Sequence, residues 1–228
     1  MTASEIVMAL RARANAANVA GMARYGISTE GTLGVPVVDI RAMARQIGRD
    51  HALALELWDS AIHEARIMAT IIDAPAQVTR QQMNAWARDF DSWDVCDQAC
   101  SNLFRYTPYA WEMAEKWSTA KREFVRRAAF SLMAGLAVKD KKSPDERFEA
   151  LLPLIAAAST DERNMVKKAV NWALRSIGKR NAKLCRAAIA AGEGIREIDS
   201  PAARWIAADA LRELRAKAVL VGVRRTRR

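Results

Sequence analysis

An all-α architecture is what this sequence predicts, and three observations carry the prediction. Alanine is abundant while β-branched runs are scarce, a balance that favours helix over strand. No stretch alternates convincingly with period two, so no sheet is expected. Only 10 Gly and 6 Pro interrupt 228 residues, which lets helices follow one another across short breaks.

Taken in order, residues 3–19 read as one Ala-rich amphipathic helix. Gly21-Met22-Ala23-Arg24-Tyr25-Gly26 follows, and then a turn-rich stretch through Gly31, Gly34 and Pro36. Helices are expected at roughly 37–48, 50–59, 61–73, 79–89, 94–106, 108–118, 121–138, 144–158, 161–179, 181–191 and 201–219. Pro75, Pro108, Pro144 and Pro201 fall at or near helix starts or in breaks. Asp161 and Ser200 suit N-caps, and Gly192 and Gly194 mark an expected helix end.

From about residue 79 the helices pair with a period of roughly 30–40 residues. That period suits a HEAT-like helical-repeat α-solenoid, whose concave basic face could hold a rod-shaped partner. An irregular helical bundle would give the same succession of helices. No Pro- or Gly-rich linker divides the chain, so one domain is expected over 1–220, followed by a frayed, disordered basic tail at 221–228.

The net charge is +10, and Arg224, Arg225, Arg227 and Arg228 supply only four of those charges. A cationic body favours a polyanionic partner, with basic solubility as the plain alternative. Cys96, Cys100 and Cys185 are odd in number and lack paired-ligand spacing, which argues against a disulfide framework or a zinc site. His51 and His63, the only histidines, stand beside no candidate nucleophile. No run of 18 apolar residues is present and no signal-peptide order opens the chain, so a cytoplasmic protein without membrane spans is expected. Gly31 and Gly34 have no phosphate-loop spacing.

Ser92-Trp93-Asp94-Val95-Cys96-Asp97 is the most distinctive stretch. On a helix Trp93 and Asp97 share one face, a turn apart, at the border of the apolar stripe Cys96-Ala99-Cys100-Leu103. A flat aromatic beside a carboxylate suits a groove that holds a cation and stabilises developing positive charge. Around 161–179, Trp172 leaves the apolar stripe and joins Lys168, Arg175 and Lys179. That strip could grip phosphates around an aromatic platform, or Trp172 could pack on a neighbouring helix under basic stems. Around 121–138, Arg127 lies opposite the main stripe beside Phe130 and calls for a carboxylate or phosphate partner. Trp58, Trp86, Trp111, Trp117 and Trp205 sit at core spacing, and Asp89 and Asp91 suit capping of the Trp93 helix.

Three separated pieces resemble motifs of the AlkD family of DNA alkylation repair glycosylases. They are Gly21-Met22-Ala23-Arg24-Tyr25, Trp93-Asp94-Val95-Cys96-Asp97 and Ala169-Val170-Asn171-Trp172-Ala173-Leu174-Arg175. Arg127-Ala128-Ala129 resembles a fourth, in the right order, and the likeness spans about residues 15–218. The resemblance implies HEAT-like repeats holding double-stranded DNA in a concave cradle, and hydrolysis of the N-glycosidic bond of cationic alkylpurines such as 7-methylguanine and 3-methyladenine. It assigns Asp97 as the catalytic carboxylate, Trp93 and Trp172 as aromatics flanking the lesion, Arg127 as the basic residue behind the site, and Tyr25 as its lining tyrosine. No lysine stands by the Trp93–Asp97 motif, so a monofunctional enzyme without lyase chemistry is expected, with no cofactor, as a monomer associated with the nucleoid through DNA. One departure stands out: where the family often carries tandem Trp, the first place here is Ser92. Two other classes remain open, a non-catalytic binder of bent or branched DNA and a scaffold for an acidic protein.

Overall fold

The computed structural model describes residues 1–225, and all their regular secondary structure is helical. The chain folds into two compact units, residues 1–109 and residues 110 onward.

In the first unit the expected helix over 3–19 is two: α1 (Ala3–Arg11) and α2 (Ala16–Ala23). Thr2 and Glu5 form a reciprocal capping box that starts α1, and the Asn15 side chain accepts from Asn18 N to start α2. A short polar residue at position 15 satisfies a fresh helix start and so divides what reads as one amphipathic run. Although α2 is apolar in composition, none of its residues is buried.

The remaining helices are α3 (Val37–Ile47), α4 (His51–Asp59), α5 (His63–Ile72), α6 (Arg80–Asp89) and α7 (Trp93–Asn102), with a 3₁₀ turn at Phe104–Tyr106. Helix α5 is the spine, packed on α3, α4 and α7. Ala65, Ile67, Met68, Ala69 and Ile72 bury its apolar face. Trp58 and Trp86 stack with centroids 4.0 Å apart. Asp89 does not cap α7; its Oδ2 accepts from Trp58 Nε1 at 2.9 Å.

The loop between α2 and α3 is fixed from inside. Glu64 is buried, and its carboxylate accepts from the backbone amides of Leu33, Gly34 and Val35 at 2.6–3.2 Å. Gly34 has φ +78°, and a Cβ there would run into the Asn15 carbonyl oxygen, so only glycine lets the loop pass under α2.

The second unit comprises α8 (Ala110–Trp117), α9 (Glu123–Lys139), α10 (Asp145–Glu149), α11 (Leu152–Ala158), α12 (Asn164–Gly178), α13 (Ala182–Arg196), α14 (Pro201–Leu214) and α15 (Lys217–Arg225). Helix α9 packs on α8 and α12, while α12 packs in turn on α13 and α14. This neighbour-on-neighbour packing is the pattern that helix-pair repeats produce.

Several expected boundaries move for identifiable reasons. The run 144–158 is two helices, and Pro153 occupies the first turn of the second, where its missing N–H leaves no bond unmade. Asp161 is not an N-cap of α12; it accepts from Arg163 N and pairs with Arg126 and Arg163. Helix α13 runs through Gly192 and Gly194 to Arg196. A Cβ on Gly192 would meet Leu211 Cδ2 at 3.0 Å, so that glycine serves close approach to α14 rather than a helix end. Trp205 is 41% exposed rather than core, with Lys167 Nζ 5.2 Å from its ring. The expected tail over 221–228 is helical as far as Arg225, because Val223 is buried; 226–228 lie outside the described residues.

Candidate active site

Helix α7 begins after Ser92, whose backbone is extended, and this places Trp93 and Asp97 on successive turns of one face. Both are half-buried, and both line a pocket of about 640 Å³ in the first unit. Tyr25 lines it too, from the loop after α2. Three of the residues singled out in the sequence are therefore brought together. Met22, Ile27, Val35 and Val37 supply apolar wall, so a flat ring could enter without stranding its faces in water.

The loop carrying Tyr25 is held by the start of α7. Trp93 Nε1 donates to the Tyr25 carbonyl at 3.0 Å. Ser28 N donates to Ser92 Oγ at 2.9 Å, and Ser92 is fully buried. Ser92 is thus a loop anchor where a second large aromatic would have stood. The departure noted in the sequence exchanges aromatic surface for a hydrogen bond.

Two further polar residues escaped the sequence reading. Asp94 lines the pocket, and its Oδ2 lies 2.8 Å from His63 Nε2 of α5. Only its position beside Trp93, three residues before Asp97, hinted at it; that His63 meets it is a consequence of α5 packing on α7. Burial of His63 favours its neutral form, but the hydrogen bond and charge of Asp94, helped by Glu64 and Asp91, outweigh this and raise its pKa above the ordinary 6.5. A raised folded-state pKa contributes stability in full below the unfolded value, and loses it as pH rises through the folded value. The stability advantage of the parent over His63→Gln should therefore be greatest below about pH 6.5 and narrow above it. Denaturant melts of both proteins across pH 5–9 check this; a gap that does not vary with pH would remove the charged pair from the account.

In the second unit, Arg127 is 6% exposed and its Nη1 donates to the Met165 carbonyl at 2.6 Å, at the start of α12. Its sequence context called for a carboxylate or phosphate, and this bond goes to a backbone oxygen. Trp172 is half-buried on α12 and Lys168 is exposed. Arg175 and Lys179 both pair with Glu213 of α14, and Arg175 also lies 3.7 Å from Asp209. The strip read from the sequence as three cations around an aromatic is thus partly neutralised, because α14 presents carboxylates that the α12 pattern could not reveal. No group of His, Cys, Asp and Glu suited to a metal ion occurs among the described residues.

Fold and pocket together define a class: an all-helical repeat protein with an aromatic–carboxylate pocket. The model of the DNA alkylation repair enzyme family matches residues 6–214, and the chain belongs to that family. No curated protein sequence matches it. Among solved structures, it aligns with a member of a family related to the HEAT-like repeat DNA glycosylases, one with affinity for branched DNA structures. The TM-score is 0.78 over 99% of this chain and 98% of that one, at 18% identity. That likeness shows the HEAT-like repeat fold. An engineered protein aligns with TM-score 0.42 and 12% identity over 77% of this chain and 90% of that one, too low a score to carry an argument.

Proposed function

We propose that the protein is a DNA glycosylase that releases cationic alkylpurines from double-stranded DNA. The observation that carries this reading is the pocket in which Trp93, Asp97 and Tyr25 meet, in a chain of the DNA alkylation repair family.

An N-alkylated purine is already positively charged, so its departure with the glycosidic electron pair neutralises it and little proton donation is needed. The deoxyribose becomes oxocarbenium-like, and the enzyme's task is to stabilise that charge. Asp97 does so electrostatically and takes a proton from the water that attacks C1′. At an effective dielectric of ~20, charges ~4 Å apart attract by roughly 4 kcal/mol before desolvation, which corresponds to about three decades in rate. Trp93 contributes a π-face that favours the charged nucleoside over neutral ones by ~0.5–2 kcal/mol. The resemblance gives Trp172 a matching role beside the lesion and gives Arg127 a supporting one. No lysine is among the described residues lining the pocket, so the reading is of hydrolysis without lyase chemistry.

A second reading has a specific observation in its favour, the affinity for branched DNA of the protein family that aligns along the whole chain. In it the chain binds distorted DNA and cleaves nothing. Release of free 7-methylguanine from methylated duplex separates the two. Protein-dependent release is expected; duplex binding with no release above the spontaneous rate would leave the binder.

A further inference from the structure

A second cleft of about 1050 Å³ opens in the first unit where α7 ends. Its walls carry Arg41 of α3, Arg49 of the α3–α4 loop, and Arg105 and Tyr106 of the 3₁₀ turn, together with Ser101 and Asn102. No carboxylate-bearing residue is among its described lining.

All three guanidinium groups are braced by neutral partners. Arg41 Nη2 donates to Gln98 Oε1 at 3.0 Å and to Asn102 Oδ1 at 3.2 Å. Arg49 Nη1 donates to the carbonyls of Ile71 and Asp73, while the Asp73 carboxylate is engaged by His51 and Gln82. Arg105 Nη2 donates to Tyr106 Oη at 2.7 Å, and its Nε is buried without a partner. Arg126, Arg175 and Lys183, by contrast, meet carboxylates. Cations gathered in one concavity, held by amides, carbonyls and a phenol and with no carboxylate in the described lining, suit an anion that arrives from outside the chain.

We propose that this cleft is a second DNA site, which takes the phosphodiester backbone of the strand that continues past the Trp93–Asp97 pocket. The proposal rests on the DNA reading above but not on catalysis. Gln98 makes the two concavities neighbours, since it lines the pocket and also accepts from Arg41. From Asp97 to Asn102 the rise along α7 is about 7.5 Å, or roughly two nucleotide steps at ~3.4 Å per step on one strand. Planar guanidinium forks suit phosphate oxygens, and Ser101 and Asn102 add neutral polar groups. Tyr106, 53% exposed, offers a ring on which a sugar or base can rest.

The test compares the parent with a triple variant, Arg41→Gln, Arg49→Gln and Arg105→Gln, by fluorescence anisotropy on an unmodified duplex between about 50 and 200 mM NaCl. The slope of log affinity against log salt should fall by about 2 to 3, with at least a roughly tenfold loss of affinity at the lowest salt. The corresponding triple lysine variant keeps the charges and should keep most of the slope. Arg204→Gln, which removes a cation paired with Asp199 in the other unit, should leave it unchanged. A glutamine variant with parental circular dichroism and parental slope would overturn the proposal. So would loss of poly-glutamate binding with the duplex slope retained, which would assign the cleft to an acidic polypeptide. The slope is read on undamaged DNA, so absence of base release would sink the glycosylase reading without touching this one.

Discussion

Asp97→Asn should lower single-turnover excision of 7-methylguanine by about three decades while leaving duplex affinity within a few-fold. The near-isosteric amide keeps the shape of the pocket wall that Trp93, Tyr25 and Asp97 share, removes the negative charge and leaves one acceptor oxygen. About 4 kcal/mol of charge stabilisation at the anomeric carbon is the quantity at stake. A carboxylate facing a polyanion weakens rather than aids binding, so its loss should if anything tighten the complex slightly. Equal rates for variant and parent would strip Asp97 of its catalytic role. A fall in rate matched by a fall in melting temperature would assign it to the fold instead.

Glu64→Ala should destabilise the first unit by about 3–5 kcal/mol. It removes a buried carboxylate and strands three backbone donors, those of Leu33, Gly34 and Val35, beneath the loop that supplies Val35 to the pocket wall. Glu64→Gln keeps one acceptor oxygen but turns an amide N–H₂ toward other donors, so it should fall between parent and Ala. Urea unfolding gives the size of the loss, and amide exchange at residues 33–35 locates it. A change under about 1 kcal/mol, with those amides still protected, would mean that other contacts hold the loop.

Much of the architecture was legible because helix periodicity is local. Alanine-rich runs, few prolines and the i, i+4 spacing of Trp93 and Asp97 are properties of neighbouring residues, and the structure keeps them. What misled was also local. Gly192 and Gly194 look like a helix end when only their own segment is in view, yet α13 continues because Leu211 of α14 occupies the space a side chain would need. Trp205 has core spacing but remains partly in solvent beside Lys167.

By itself, the sequence determined the helical class, the family likeness and the aromatic–carboxylate pair. Tertiary structure alone decided that Ser92 anchors the Tyr25 loop, that His63 meets Asp94, and that Glu213 answers Arg175 and Lys179. It also decided that Arg41, Arg49 and Arg105 share one cleft. Each of these joins residues 31 to 64 positions apart, or elements from three segments of chain. Electrostatic neutralisation depends on distance in space, and no periodicity along a chain encodes which distant charge will arrive.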